Sequence, residues 1–519
     1  MWKNLQQSLL GFGVDSQLQK QILSETEKWK AILKRLLDVT LFLAYRGLPF
    51  QGSSTKIGNV NNGNFLGILE LLGRYDEITR GHLAYVKEYQ NKGESMKGRT
   101  HYLSWMSQNE FISHCGDKIL KHILEERTES IYYSIIADAT PDVSHQEQNV
   151  LSLRYVFRNK ETKQLEIQER FIEFLNFNEK TGESIATMLL AALDRHKIPL
   201  PDCRAQAYDN GSNMSGKIKG VQARILEKNN IAFYSPCSAH SLNLVDVNAV
   251  KINSRVKTFF GCLQSLFVSF SSSPAKRNIL SEEVGVSLGS QSETRWSSRV
   301  SAIRPIVKHL PGILKSLNRV LTEINMPDKM YSEIMALKKY FSSFECIAMA
   351  SFWFKVLSSI NERNIIIQSR GISLEVEIDL IKDLINELNN IIDEWPTILN
   401  EASLVANNLN IIPNFPEEER RAKKRKVFHD EVQSETIIQP NKAIVAQDSF
   451  KRDVIFNSID VIITDLTHRF EAHKNLCNLF SPILCYMKLS CEELEVNLKK
   501  MIEIYPNDLS SNMLDELFH

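Results

Sequence analysis

Two short stretches constrain the fold of this chain more than any others. Ser134 to Asp142 reads S-I-I-A-D-A-T-P-D, and Arg204 to Gly211 reads R-A-Q-A-Y-D-N-G. Each is an apolar or alternating run that stops on an aspartate and passes into turn-forming residues, as strands do where they end at the crevice of a sheet. Asp138 and Asp209 are the pair to explain.

The periodicity around them sets the topology. Ile131 to Asp138, Val150 to Phe157 and Leu165 to Phe177 are rich in β-branched and aromatic residues with short polar links, which predicts an antiparallel meander. Thr181 to Arg195 then has helical spacing, Cys203 to Asp209 reads as a strand, Gly216 to Lys228 as a helix and Ile231 to Ser235 as a fifth strand. The order β-β-β-α-β-α-β predicts a mixed sheet with helical crossovers.

On both sides of this region the pattern is helical. Ser24 and Glu27 form an expected capping box, followed by apolar residues at helical spacing up to a stop at Gly47, and Phe65 to Leu72 is a second helix. After Cys237 the runs Ala239–Lys257, Ser298–Ile324, Asp328–Ser359 and Leu374–Glu394 all read as helices. By spacing they form either an independent all-α domain or a helical insertion into the α/β fold. Pro413 to Asp448 loses the pattern and reads as a basic and polar linker, and helical spacing returns from Phe450. The chain stops at Leu517-Phe518-His519 in mid-pattern, which suggests a truncation.

These readings divide the chain into a helical N-terminal region (1–127), an α/β core (128–250), a helical region (251–412), a linker (413–448) and a helical C-terminal segment (449–519). At 519 residues, more than one domain is the expectation. Lys plus Arg and Asp plus Glu are both 62, so no whole-chain charge argues for a nucleic-acid or membrane partner and any basic surface is local. The eight cysteines include no C-x-x-C pair, which argues against a disulfide framework and points to a reducing compartment. No apolar run has the length to cross a bilayer, so no membrane partner is expected, and the locale read from the sequence is nuclear or cytoplasmic.

Taken singly, each candidate residue has an ordinary structural reading. An aspartate at a strand end before Asn-Gly is commonly turn chemistry, its carboxylate accepting from nearby amides. The alternative comes from topology: two aspartates closing the first and fourth strands can sit side by side and coordinate divalent cations, the arrangement of two-metal phosphoryl transfer. Asp142 and Glu173 are further acidic candidates. Cys237 and His240 have the spacing of half a zinc site without a second half, so no zinc is predicted, and a buried cysteine at a helix start is the simpler account. Thr294-Arg295-Trp296 reads equally as a helix start with a core indole. Arg420, Arg421, Lys423, Lys424, Arg425 and Lys426 form one dense basic cluster, either a solvated loop or a nuclear-import signal. Glu417 to Glu419 just before it weaken a phosphate-contact reading.

Four ordered motifs carry a resemblance. Ile135–Val156 (I-I-A-D-A-T-P-D-V-S-H-Q-E-Q-N-V-L-S-L-R-Y-V), Ala207–Gly216 (A-Y-D-N-G-S-N-M-S-G), Cys237–Leu244 (C-S-A-H-S-L-N-L) and Thr294–Trp296 (T-R-W) resemble the transposase region of hAT-superfamily elements. Gly63–Asp76 and Tyr102–Ile112 are similar to the same group, with the nearest likeness to transposase-derived proteins of the zinc finger MYM-type 1-like kind. The resemblance implies an α+β fold with an RNase H-like core interrupted after its fifth strand by the large helical insertion. It implies that Asp138 and Asp209 match the first two acids of a D-D-E set holding magnesium or manganese. It also implies that His240, Arg295 and Trp296 shape a DNA end, Trp stacking on an unpaired base and Arg meeting phosphate. The chain departs from the family in having Ala139 after the first aspartate and in lacking the pattern that carries the third acid, for which Glu492, Glu493 or Glu495 are the substitutes to consider. The function implied is that of a domesticated or truncated transposase-like protein without transposition activity, the alternative being a residual metal-dependent DNA nuclease or strand-transferase. DNA and protein partners are expected, and no small-molecule substrate.

Overall fold

The structure, a computed structural model, describes residues 14–93, 99–141, 147–175, 180–250, 253–291, 296–369, 371–415 and 442–518. The chain forms two compact units, one of residues 1–131 with 157–163, the other of 132–156 with 164–519.

In the first unit, α1 (Val14–Arg46), α2 (Gly63–Leu72), α3 (Glu77–Lys92) and α4 (Trp105–Ser130) enclose a core of Leu36, Leu43, Phe65, Leu69 and Val86. The capping box expected at Ser24 and Glu27 is instead the interior of α1, because the residues before it already follow helical spacing and a local cap signal cannot end a helix that is still propagating. Gly47 stops α1 as expected, with φ +64°. Asp76 caps α3 by accepting from the Thr79 amide at 2.7 Å, and its carboxylate also receives two bonds from Arg35 of α1.

The second unit is built on a sheet of order β3-β2-β1-β4-β5: β1 (Tyr133–Pro141), β2 (Glu147–Arg158), β3 (Leu165–Leu175), β4 (Cys203–Tyr208) and β5 (Phe233–Pro236). β1 pairs antiparallel with β2 and parallel with β4, and β4 pairs parallel with β5. Parallel neighbours need crossovers, supplied by α5 (Gly182–Arg195) before β4 and by α6 (Ser212–Ser215) and α7 (Val221–Lys228) before β5. The expected α+β fold with a mixed five-stranded sheet is what the chain forms.

From β5 the chain enters α8 (Ser238–Val250) and a run of helices: α9 (Ser254–Ser271), α10 (Pro274–Val284), α11 (Trp296–Glu323), α12 (Asp328–Phe341), α13 (Phe344–Ile367), α14 (Leu374–Asp393) and α15 (Trp395–Asn408). Two runs read as single helices are broken by polar caps inside apolar sequence: Asn253 starts α9 by accepting from Val256, and Ser343 starts α13 by accepting from Cys346. α11 kinks at His309, between Pro305 and Pro311. No single helix among the described residues is long and apolar enough to cross a membrane; α12 and α13 are so only as a pair bent by 70°.

Both ends of the stretch read as linker join the helical core. Phe415 is buried and stacks on Phe450 at 4.4 Å, and α16 (Lys442–Phe450) begins before the expected end of the linker. Aromatic burial at both ends of a polar tract holds them, a signal that average composition hides. After a π-helical turn, α17 (Asn457–Leu484) packs against α8 and β5, sharing one apolar core with the helices from α8 onward. The chain thus leaves the sheet after β5 and comes back to it, followed by α18 (Cys491–Ile504) and α19 (Asn512–Phe518).

Candidate functional site

The parallel pairing of β1 with β4 runs to the pair Ile136–Ala207. Asp138 and Asp209 each lie two residues further along, on the same pleat phase of neighbouring strands, which brings their side chains to the same end of the sheet. Both line one cavity of about 270 Å³, floored by Ala137, Ile185 and Leu189. The two aspartates therefore share one cavity at one end of the sheet.

The turn chemistry is present as well. Asp209 Oδ1 accepts from the Gly211 amide at 3.0 Å, and Asp138 Oδ1 from the Ala139 amide at 2.9 Å. Tyr234 of β5 donates its hydroxyl to the Asp209 carbonyl at 2.9 Å, while Asn210 donates to Ser241 Oγ at 2.6 Å and so fastens the aspartate's loop to α8. At Asp209 one carboxylate oxygen orders the loop, and that bond fixes the orientation of the other.

Cys237 closes β5 against β4, its amide donating to the Tyr208 carbonyl at 2.9 Å. Desolvation raises its thiol above the ordinary range, the amides of His240 and Ala239 pull it back, and the charges of Asp138 and Asp209 add to the rise. A thiol held protonated in this way is a poor metal ligand. His240 occupies the first turn of α8, beside the Ser241 that anchors Asn210. The ligand atoms the pair itself offers are carboxylate oxygens, which suit a hard divalent cation.

The other candidates lie elsewhere. Glu173 is engaged by Arg195 at 2.6 Å and His196 at 3.1 Å. Of the three substitutes for the third acid, Glu492 and Glu493 line a different cavity, between α14, α17 and α18. Glu493 closes the capping box of α18 with Ser490, and Glu495 pairs with Lys499 one turn on. Among the described residues no group of three or more His, Cys, Asp or Glu side chains is arranged to hold a metal ion. Asp142, Arg295 and the cluster Arg420, Arg421, Lys423, Lys424, Arg425 and Lys426 fall outside the described residues, and of Trp296 only its place as the first residue of α11 is described.

One contributor escaped the sequence reading. Asn149 of β2, paired with Ala139, lines the same cavity with 7% of its surface exposed, and its Nδ2 has no partner among the described residues. A polar residue within a strand reads as surface, so the sequence carries no signal for it. A buried amide left unpaired beside two carboxylates is costly unless something enters to meet it.

Comparison with known proteins fits this architecture. Residues 9–220 match the family described as DUF4371, ZMYM1/FAM200, RNase-like domain. The human protein named 52 kDa repressor of the inhibitor of the protein kinase is 23% identical over 418 residues, covering 77% of this chain and 53% of that protein. The Mus musculus protein of the same name is 22% identical over 419 residues, with the same coverage. The chain spans about half the length of the curated relatives it matches. Residues 9–220, which include β1 to β4 and both aspartates, are thus similar to the RNase-like domain described for the ZMYM1/FAM200 family.

Proposed function

We propose that this protein is a domesticated, DNA-associated relative of hAT transposases that keeps a divalent-cation site at Asp138 and Asp209 but does not carry out transposition. The observation that carries the reading is the pair itself: two aspartates at one sheet end over one cavity, with no third acid grouped with them among the described residues. Magnesium or manganese bound there would supply Lewis-acid activation of an oxygen nucleophile. The chain's own contribution is the orientation of Asp209 through Gly211, Tyr234 and Asn210. In this reading the core (128–250) carries the site, 251–412 is its insertion, and His240, Arg295 and Trp296 face a DNA end. The repressor named among the relatives supports a nuclear, regulatory role reached through protein partners, with the cluster Arg420–Lys426 as its import signal.

Calorimetric titration of Mn²⁺ into the wild-type chain and the Asp138→Ala, Asp209→Ala double variant tests the metal site, and incubation with branched and nicked DNA tests the chemistry. Binding that the double variant loses, without cleavage by either, is the expected result. Cleavage abolished by Asp138→Ala would instead establish a residual metal-dependent nuclease. No Mn²⁺ binding by the wild type would leave the aspartates as turn residues alone.

A further inference from the structure

The segment that follows Asp209 continues into a small protrusion, Gly216-Lys217-Ile218-Lys219-Gly220. Its base is pinched shut. The Gly220 amide donates to the Gly216 carbonyl at 3.1 Å, and a Cβ on Gly220 would lie 2.4 Å from that oxygen, so only glycine allows the two ends to meet. On one side the Lys219 carbonyl packs on Gly182 at the start of α5, where an added Cβ would approach to 2.4 Å. On the other, the Gln222 amide side chain donates to the Ser215 carbonyl.

A rigid base displays an unusual tip. Lys217, Ile218 and Lys219 are all exposed, Ile218 by 86%, and neither lysine has an ion-pair partner among the described residues. An isoleucine with so little burial contributes nothing to the fold, and two unpaired cations flanking it create a local positive field in a chain of zero net charge. The protrusion is covalently continuous with Asp209, Asn213 and Met214, which line the cavity. It therefore begins two residues after the part of the 209–214 segment that lines the candidate site.

We propose that this protrusion is a DNA contact in which Lys217 and Lys219 meet backbone phosphates and Ile218 wedges against an unstacked base, holding a strand end over the Asp138 and Asp209 cavity. The inference rests on the DNA-associated reading above and deepens it by naming the surface that holds the strand. Lysines suit phosphate as point charges, and an exposed aliphatic tip between them matches the way wedge residues open a base step while flanking cations hold the backbone. Two exposed cations either side of an aliphatic tip complement a polyanion whose bases can unstack against that tip.

The test is fluorescence anisotropy of the full chain with a labelled forked duplex and the corresponding intact duplex, across a salt series. Lys217→Ala, Lys219→Ala should reduce the slope of log affinity against log salt by about 1.4 to 1.8 for two lost phosphate contacts. Ile218→Ala should weaken fork binding about tenfold, leaving the salt slope and intact-duplex binding unchanged. A Lys382→Ala, Lys499→Ala control removes the same charge from α14 and α18 and should leave both readouts at the wild-type value. If the wild type binds neither DNA, the DNA-associated reading fails and takes this proposal with it. If it binds but the protrusion variants match wild type, or the control loses as much as they do, the protrusion is not the contact and the wider reading stands.

Discussion

The imidazole Nε2 of His473 donates to the carbonyl oxygen of Pro236 at 2.9 Å, joining the helix that follows the long helical run to the last strand of the sheet, 237 residues earlier. His473 is buried, and its Nδ1 lies 3.6 Å from Oε1 of the buried Glu377 on α14. Pro236 directly precedes Cys237, so this one ring ties the sheet end beside the candidate site to two helices at once.

His473→Leu should therefore be costly. It removes the donor to Pro236 and leaves that carbonyl without its side-chain partner in the interior, a loss of about 1 to 2 kcal/mol in urea unfolding. A single-variant cost under about 1 kcal/mol would show that the bridge does not hold the helix to the sheet.

Gly211 tests how far the Asp209 loop prearranges its carboxylate. A Cβ there would lie 2.7 Å from Asn213 Oδ1 and 3.1 Å from Asp209 Oδ1, so Gly211→Ala must shift one of them. The proposed cation site should lose about 10-fold or more in Mn²⁺ affinity, as expected when an outer-shell partner is disturbed, while the thermal midpoint changes little. An unchanged affinity in calorimetry would show that Asp209 is not held by this turn.

Much of this architecture was legible because the physics that sets it is local. Strands such as Val150–Phe157 announce themselves by β-branched alternation, and the helix read over Thr181–Arg195 is α5, begun by the Thr181 side chain accepting from the Ser184 amide. What escaped was either overridden or non-local. The Ser24 and Glu27 box lies inside α1 because its neighbours outvote it, and Asn253 and Ser343 were hidden because single caps sat within long apolar runs. The Asp138 and Asp209 pairing could be inferred from strand order, but Asn149 could not, since its neighbourhood depends on where α5 and the 209–216 loop come to rest.

The N-terminal helical unit should lose stability in mild acid. Burial lowers the imidazoles of His82 and His101 below their ordinary 6.5; for His82 the bond to the His101 carbonyl opposes the shift and the nearby Lys28 charge assists it. Both groups stay neutral when folded at pH values where the unfolded chain protonates them. Their contribution is thus fully present above about pH 6.5 and falls as pH drops toward the folded values, by up to about 1.4 kcal/mol per pH unit for each group. Urea midpoints read by tryptophan fluorescence between pH 7.5 and 5 should fall, and His101→Gln should flatten the slope. Trp29, edge-on to His82 at 5.8 Å, is the natural reporter. A midpoint independent of pH over this range would contradict the burial of both rings.

The last prediction concerns the segment after α18. Asp508 accepts from Arg204 Nε at 3.0 Å and Nη2 at 2.7 Å, and from the Tyr132 hydroxyl at 2.6 Å, while the guanidinium lies 4.1 Å over the Tyr132 ring. Arg204 is the second residue of β4 and Tyr132 directly precedes β1, so the clamp fixes the segment after α18 to the end of the sheet opposite the aspartates. With both ionic side chains largely covered, Asp508→Ala removes three bonds and strands the guanidinium over the ring, for a loss of about 1 to 2 kcal/mol. That corresponds to about 5- to 30-fold more frequent release of the segment, read as faster cleavage after α18 in limited proteolysis. Arg204→Lys should behave like the alanine variant, since an ammonium cannot both fork to the carboxylate and stack on the ring. Equal cleavage rates in wild type and Asp508→Ala would show that Phe233, Phe480 and Tyr505, which pack together beneath it, hold the segment without the clamp.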